Sequence, residues 1–226
     1  MLHALKKLFS RQDGRDRIVI VSGLPRSGTS MMMKMLEAGG VPIMTDQVRT
    51  ADVDNPKGYY EYERVKDLEK DPDKSWVSSA RGKALKVISW LLKQLPDEND
   101  YDIVFMRRNI DEVLASQNKM LQNRKEADAT EDEAMAEAYR HHLAEVRILG
   151  RKKANWRLLE VRYDQAIQDP AAAARAVNAF LRRPLDERKM VEAVDGTLYR
   201  NRKQGLPALA DATNGKGEGN PPSSRS

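Results

Sequence analysis

The sequence predicts an α/β fold, a central and mostly parallel sheet flanked by helices in three layers. Three observations carry this expectation. Apolar, β-branched runs alternate along the chain with segments of helical periodicity, the pattern of parallel strands joined by crossover helices. The first such run, Arg17-Ile-Val-Ile-Val-Ser22, holds four consecutive β-branched residues, which suits a strand buried on both faces. A chain of 226 residues, 40% of them hydrophobic, is long enough for one well-buried domain and short for two.

After the first strand, Gly28 to Ala38 reads as a helix closed by Gly39-Gly40, with Met31, Met32, Met35 and Leu36 on its apolar face. A methionine stripe of this kind fills a core more often than it forms a binding surface. Ala84–Ile88 is the second strand, and Tyr101–Met106 the third. Ile110, Val113, Leu114 and Leu121 then recur at helical spacing. Thr130 with Glu133 forms a capping-box signature and opens a long helix carrying Met135, Tyr139, Leu143, Val146 and Leu149. His141 and His142 fall within that helix and are read as solvated or packing residues. Trp156–Val161 is the fourth strand, and Asp169-Pro170 starts an alanine-rich helix as N-cap and first-turn proline. The expected organisation is a flexible segment over 1–16, a domain over 17–205, and a disordered Gly, Asn, Pro and Ser tail over 206–226.

Composition narrows the function classes. The net charge of +5 is spread over the chain, enough to favour an anionic ligand and too diffuse to announce nucleic acid. There is no cysteine, which removes disulfides, thiolate nucleophiles and Cys-based metal sites, and three histidines argue against a zinc centre. The run Met1–Phe9 is too short for a membrane span, so no stable membrane insertion and a cytoplasmic location are expected.

The most informative stretch is Val19-Ile-Val-Ser-Gly23-Leu-Pro25-Arg26-Ser27-Gly28-Thr29-Ser30, followed by a helix. A strand, a glycine-bounded turn and a helix N-terminus form an anion cradle of inward-pointing backbone N–H groups and a positive dipole end. The spacing is that of a P-loop, which gives the expected fold its P-loop-NTPase-like character. The lysine that such loops use to reach β- and γ-phosphates is replaced by Thr29, and the cation has moved into the loop as Arg26. A smaller anion beside an in-loop cation suits this arrangement better than a nucleoside triphosphate.

Pro25-Arg26-Ser27-Gly28-Thr29-Ser30 resembles the 5′-phosphosulfate loop of the sulfotransferases, which use 3′-phosphoadenosine 5′-phosphosulfate (PAPS). Tyr101-Asp-Ile-Val-Phe-Met-Arg107-Arg108, with Ser116 in the next helix, is similar to the family's 3′-phosphate element. The resemblance aligns Arg108 and Ser116 with that role and leaves Arg107 as a neighbour. An extra cation and hydroxyl are what a 3′-phosphate demands. Val161-Arg-Tyr163-Asp164 resembles the family's strand-then-Tyr-Glu/Asp segment, and the resemblance covers roughly residues 17–182. It implies a PAPS-dependent transferase that releases 3′,5′-ADP, needs no metal and acts on a small-molecule or carbohydrate acceptor.

Two departures from the family stand out. Where cytosolic members carry a general-base histidine in Lys-Val/Thr-His, this chain reads Lys86-Val87-Ile88, and isoleucine takes no proton. Asn55-Pro-Lys-Gly58-Tyr-Tyr-Glu61 lies where carbohydrate-type and many bacterial relatives place a catalytic glutamate, which makes Glu61 the candidate base. Lys86 and Asp46 are the alternatives, and Arg26 with Lys86 are the candidate stabilisers of the leaving oxygen. Tyr199-Arg200-Asn-Arg202-Lys203-Gln-Gly205 loosely resembles the family's nucleotide clamp, so Arg200 and Lys203 join the cofactor-binding candidates. The charged, hydroxyl-rich stretch Thr45–Tyr62 favours a polar, sugar-like acceptor. Two rival readings stay open on the residues alone. One is a P-loop-type kinase with Asp164 as its metal-holding carboxylate. The other is a nucleotide-binding module that has lost its base.

Overall fold

The computed structural model describes residues 16–46, 60–124 and 132–195. Four strands, β1 (Ile18–Gly23), β2 (Ala84–Lys86), β3 (Tyr101–Arg107) and β4 (Trp156–Arg162), form one sheet in the order β2-β1-β3-β4. Every pairing is parallel, with Val21 opposite Lys86, Ser22 opposite Phe105 and Arg107 opposite Arg162. The helices are α1 (Thr29–Ala38), α2 (Ile110–Arg124), α3 (Asp132–Lys152), α4 (Tyr163–Gln168), α5 (Pro170–Leu181) and α6 (Glu187–Glu192), with 3₁₀ turns at Glu63–Asp67, Ser75–Ala80 and Ser89–Gln94. The expected three-layer α/β architecture holds.

Strand alternation sorts the core into two layers. Ile18, Ile20, Ile103 and Phe105 pack on one face of the sheet with Val113 and Leu114 of α2 and Tyr139, Leu143 and Val146 of α3. Val19, Val21, Val104 and Met106 pack on the other with Met32, Met35 and Leu36 of α1, Val177 and Leu181 of α5, and Met190 of α6. β1 and β3 are central and covered on both sides, which is why their sequences are largely apolar, with Ser22 and Asp102 as buried exceptions.

Differences from the sequence reading have local causes. The methionine face includes Met33, which is fully buried, while Met31 is only partly buried. The helix is contacted by α6 as well as the sheet: Met190 of α6 lies so close to Gly39 that a Cβ there would meet its Sδ at 3.0 Å. A second flank therefore widens the buried stripe. β2 ends at Lys86 and not Ile88, because after Val87 N–H donates to the Val21 carbonyl the chain turns into the Ser89–Gln94 3₁₀ segment. The long helix starts at Asp132, and Thr130 lies outside the described residues. Asp169 caps α5 as expected, its side chain accepting from Ala172 N–H with Pro170 in the first turn.

All four strands point the same way, so their C-terminal ends gather at one edge. From β1 the chain forms β2 on one side of it and then crosses to form β3 on the other. In open α/β sheets ligands bind at the carboxyl ends of strands, at such a switch point. Among the described residues no helix is long and apolar enough to cross a membrane.

Candidate functional site

The loop from Gly23 to Ser30 begins at the C-terminal end of β1 and runs into α1. Gly28 is its N-cap residue at φ 97°, a left-handed conformation that costs glycine little. A Cβ on Gly28 would lie 2.3 Å from Cδ2 of Tyr163, so the tyrosine ring closes directly on the loop. Gly23 is equally confined, since a Cβ there would stand 2.7 Å from the Met106 carbonyl oxygen. Arg26 is itself left-handed at φ 64°, strain that a non-glycine residue adopts only when its surroundings hold it. Part of that hold is visible: Arg108 Nη1 donates to the Arg26 carbonyl at 3.0 Å, and Arg26 Nε donates to Ser116 Oγ at 3.0 Å.

Arg108 leaves the end of β3 and is fixed from three directions. Its Nε donates to Glu112 Oε2 at 3.0 Å, and the two side chains are 8% and 4% exposed. Its guanidinium lies 4.7 Å from the centre of the Tyr163 ring, a cation–π contact. The Arg108–Glu112 salt bridge is nearly closed to solvent. It is a buried brace that leaves the guanidinium against the loop, and not a solvated strand end. Burial raises the Tyr163 phenol above its ordinary pKa, and Arg108 opposes that rise. Arg107 points elsewhere, 3.5 Å from Glu160, and burial lowers its pKa.

Opposite this pair, Lys86 at the end of β2 donates to Ser30 Oγ at 3.4 Å and stands 3.6 Å from Glu61 Oε1. The side chains of Lys86 and Glu61 are 10% and 23% exposed, so the ion pair is partly shielded. Glu61 is held by its backbone: Thr45 Oγ1 donates to its carbonyl at 2.8 Å, and Asp46 accepts from Glu63 N–H at 2.5 Å. Asp46 is thereby engaged in shaping the Glu61 segment. Tyr60, left-handed at φ 52°, donates its hydroxyl to Glu37 Oε2 at 2.6 Å and ties the same segment to the end of α1.

Thus Arg26, Ser27, Gly28, Thr29, Ser30, Lys86, Glu61, Arg108 and Ser116 gather at one edge of the sheet. Pro25 is exposed on the loop's outer side. Arg200 and Lys203 lie outside the described residues, as does Asn55–Gly58. The sequence reading missed two members. Glu112 could have been found from its i,i+4 spacing to Arg108. Tyr163 had been noticed only as a segment resemblance. Asp164, the carboxylate a metal-dependent kinase would need, is bound bidentately by Arg162 at 3.1 and 2.6 Å, and that contact lowers its pKa.

The edge fits an anionic ligand. Three cations (Arg26, Lys86, Arg108) face two carboxylates (Glu61, Glu112). The hydroxyl of Ser27 is buried with no hydrogen-bond partner among the described residues, an orphan donor within the loop.

A family model described as the sulfotransferase domain matches residues 16–220. Among solved structures, the sulfotransferase domain of the Synechococcus PCC 7002 olefin synthase is similar, at 17% identity and a TM-score of 0.50 over 85% of this chain and 81% of that one. Mouse sulfotransferase SULT7A1 complexed with PAP aligns at 15% identity and a TM-score of 0.49, over 80% of this chain and 63% of that one. The sulfotransferase domain of the curacin biosynthetic pathway aligns at 14% identity and a TM-score of 0.48, over 79% and 78%. At these identities the likeness to the first of them speaks to the fold. No curated protein matches the sequence.

Proposed function

Since the chain belongs to the sulfotransferase domain family, we propose that it transfers the sulfuryl group of PAPS to a hydroxyl or amine of a small-molecule acceptor with a polar, sugar-like reacting end. The observation that carries this reading is the cross-connection between the loop and the β3 element, Arg26 to Ser116 and Arg108 to the Arg26 carbonyl. The loop and the β3 element, each with an arginine and a serine hydroxyl, are in direct contact, which supports a nucleotide phosphorylated at both 5′ and 3′ positions.

In this reading the loop amides, Arg26, Ser27, Thr29 and Ser30 hold the 5′-phosphosulfate, and Arg108 and Ser116 hold the 3′-phosphate. Pro25, Gly28, Arg200 and Lys203 complete the cofactor-binding set. The acceptor oxygen bonds to sulfur while the bond from sulfur to the 5′-phosphate oxygen breaks. PAPS supplies the activated sulfuryl group and leaves as 3′,5′-ADP. Negative charge grows on the bridging oxygen, where Arg26, Lys86 and the loop amides are the stabilising donors; one preorganised donor of this kind is commonly worth ~2.7–4 kcal/mol. Glu61 takes the acceptor's proton, and Lys86 beside it orients the carboxylate. This arrangement replaces the histidine that Ile88 cannot supply.

The test is sulfate transfer from radiolabelled PAPS across a panel of alcohols, amines and glycosides. Labelled product together with stoichiometric 3′,5′-ADP is expected. Tight nucleotide binding without transfer to any acceptor would leave a binding module instead.

A further inference from the structure

Among the described residues, Arg26, Tyr60 and Arg182 are left-handed without being glycine. Two of them have local reasons. Arg26 belongs to the Gly23–Ser30 loop, and Arg182 is the C-cap that ends α5, a common place for this conformation. Tyr60, at φ 52°, is in neither situation. A bulky side chain keeps such a backbone only where its surroundings over-determine it. It immediately precedes Glu61, the proposed proton acceptor.

Two contacts hold Tyr60. Its hydroxyl donates to Glu37 Oε2 at 2.6 Å, a charge-assisted bond. Its ring packs with the core layer that contains Val21, Met32 and Val104. Burial and the Glu37 carboxylate both raise the pKa of the phenol, so the hydroxyl keeps its proton and remains a donor. Tyr62, two residues on, packs with the other layer, its ring centre 5.4 Å from that of Trp76. In an extended chain residues 60 and 62 would point to the same side. The left-handed step at Tyr60 breaks that alternation and sends the two rings to opposite layers, with Glu61 between them.

The Tyr60–Glu37 bond also ties the Glu61 segment to the helix that begins in the loop. α1 carries Ser30 near its start and Glu37 near its end, about 10 Å apart along a stiff rod. Lys86 donates to Ser30 and pairs with Glu61, and Tyr60 leads back to Glu37 on the same helix. The contacts therefore close into a ring. One helix sets the place of both the anion cradle and the base.

We propose that Tyr60 and Glu37 are positioning residues, a hydrogen-bonded pair that holds the backbone of Glu61 so that its carboxylate stays beside Lys86 at a fixed place relative to the Gly23–Ser30 loop. The proposal rests on the reading of Glu61 as the proton acceptor.

Tyr60→Phe keeps the ring and removes the hydroxyl. Glu37→Ala removes the same bond from an exposed helix position that alanine suits, so a folding defect in one variant does not decide the outcome. On an acceptor found in the sulfate-transfer panel, each is expected to lower kcat about ten- to hundredfold, up to the cost of a misplacement of ~1 Å. The KM for PAPS and the affinity for 3′,5′-ADP should not change. The double variant should be no slower than either single one, because both remove one shared contact. In a Glu61→Gln background, Tyr60→Phe should have no further effect. Amide hydrogen exchange reads the tether without turnover: Tyr60→Phe should speed exchange over residues 61–65 and leave the loop with bound 3′,5′-ADP unaltered. Normal kcat in both single variants, a loss that persists in the Glu61→Gln background, or unchanged exchange overturns the positioning role while Glu61 keeps its own. Near-normal kcat for Glu61→Gln, or no transfer to any acceptor, overturns the reading beneath it, and the positioning role falls with it.

Discussion

At the N-terminal end of β3, Asp102 is fully buried and is bound by Arg17 Nε at 2.5 Å and by Arg157 Nη2 at 2.5 Å. At the C-terminal end of the same strand, Arg108 is braced by the buried Glu112, and its Nη1 donates to the Arg26 carbonyl of the Gly23–Ser30 loop. Both ends use arginines and a buried carboxylate. At the first, the carboxylate sits between two guanidiniums that also cap backbone carbonyls, Arg17 on Tyr101 and Asn155 and Arg157 on Phe180, so the charges close on themselves and fasten three strand ends and a helix. At the second, Arg26, Lys86 and Arg108 stand with the carboxylates of Glu61 and Glu112 around the Gly23–Ser30 loop. One end secures the fold. In the proposed reading, the other keeps positive potential for a nucleotide.

That contrast breaks if substitutions at the two ends do the same thing. The largest effect is expected at the ligand end, from Glu61→Gln. It keeps size and shape but removes the proton acceptor, so kcat should fall by about 10²–10⁴-fold while 3′,5′-ADP binding is nearly unchanged. Steady-state kinetics on a verified acceptor, with a nucleotide titration alongside, checks this; near-normal kcat would pass the role to Lys86. At the opposite end, Asp102→Asn should lower unfolding free energy by about 3–5 kcal/mol, the cost of breaking a buried ion pair by removing one partner. Denaturant unfolding measures that loss. Nucleotide affinity of the folded fraction should be untouched, and weakened affinity would show that the two ends are not separate in function.

Arg108 sharpens the comparison because it serves both purposes. Arg108→Ala alone would take the guanidinium away from the buried Glu112 carboxylate and confuse stability with binding. The double variant Arg108→Ala/Glu112→Gln avoids this. It is expected to lose ~1.5–3 kcal/mol of 3′,5′-ADP binding, the range for hydrogen bonds to charged groups, with ADP affinity unaltered. An equal loss for both nucleotides in calorimetry would take Arg108 away from the 3′-phosphate.

The smallest effect belongs to His142, which sits at neither end. Burial depresses its folded pKa below the unfolded value near 6.5, against Glu145, which raises it, and with Lys93, which lowers it further. Stability from the neutral ring is thus fully present above pH ~6.5 and is lost as pH falls through the folded pKa. Thermal melts between pH 8 and pH 5 should show an acid-side fall that His142→Gln flattens. Identical profiles for the two proteins would remove His142 as the titrating group.

Much of this was legible in the sequence, for reasons that differ by element. β1 and β3 announce themselves because strands buried on both faces are apolar along most of their length. The loop is legible because its glycines and in-loop cation occur at fixed spacing. What the sequence hid depends on packing across the sheet. Nothing in a linear reading puts Tyr163 against Gly28, since their contact arises only when the ends of β1 and β4 meet at one edge. Asp102 reads as one polar residue in an apolar run, and its two arginines lie 85 and 55 positions away. The length of β2 was overestimated because Val87 and Ile88 continue an apolar run after the strand has ended. His141 and His142 read as solvated or packing residues; His141 is exposed and His142 stacks on Trp90, a contact between α3 and the segment after β2 that has no sequence signature.

The account stands most directly on the claim that this edge reads a nucleotide carrying phosphate at both 5′ and 3′ positions. Isothermal titration of the unmodified protein with 3′,5′-ADP and with ADP, at one salt concentration, measures that claim without any acceptor. The account predicts tighter binding of 3′,5′-ADP by at least about tenfold, the lower limit set by one charged hydrogen-bonding contact. Equal affinities, or a preference for ADP, would contradict it.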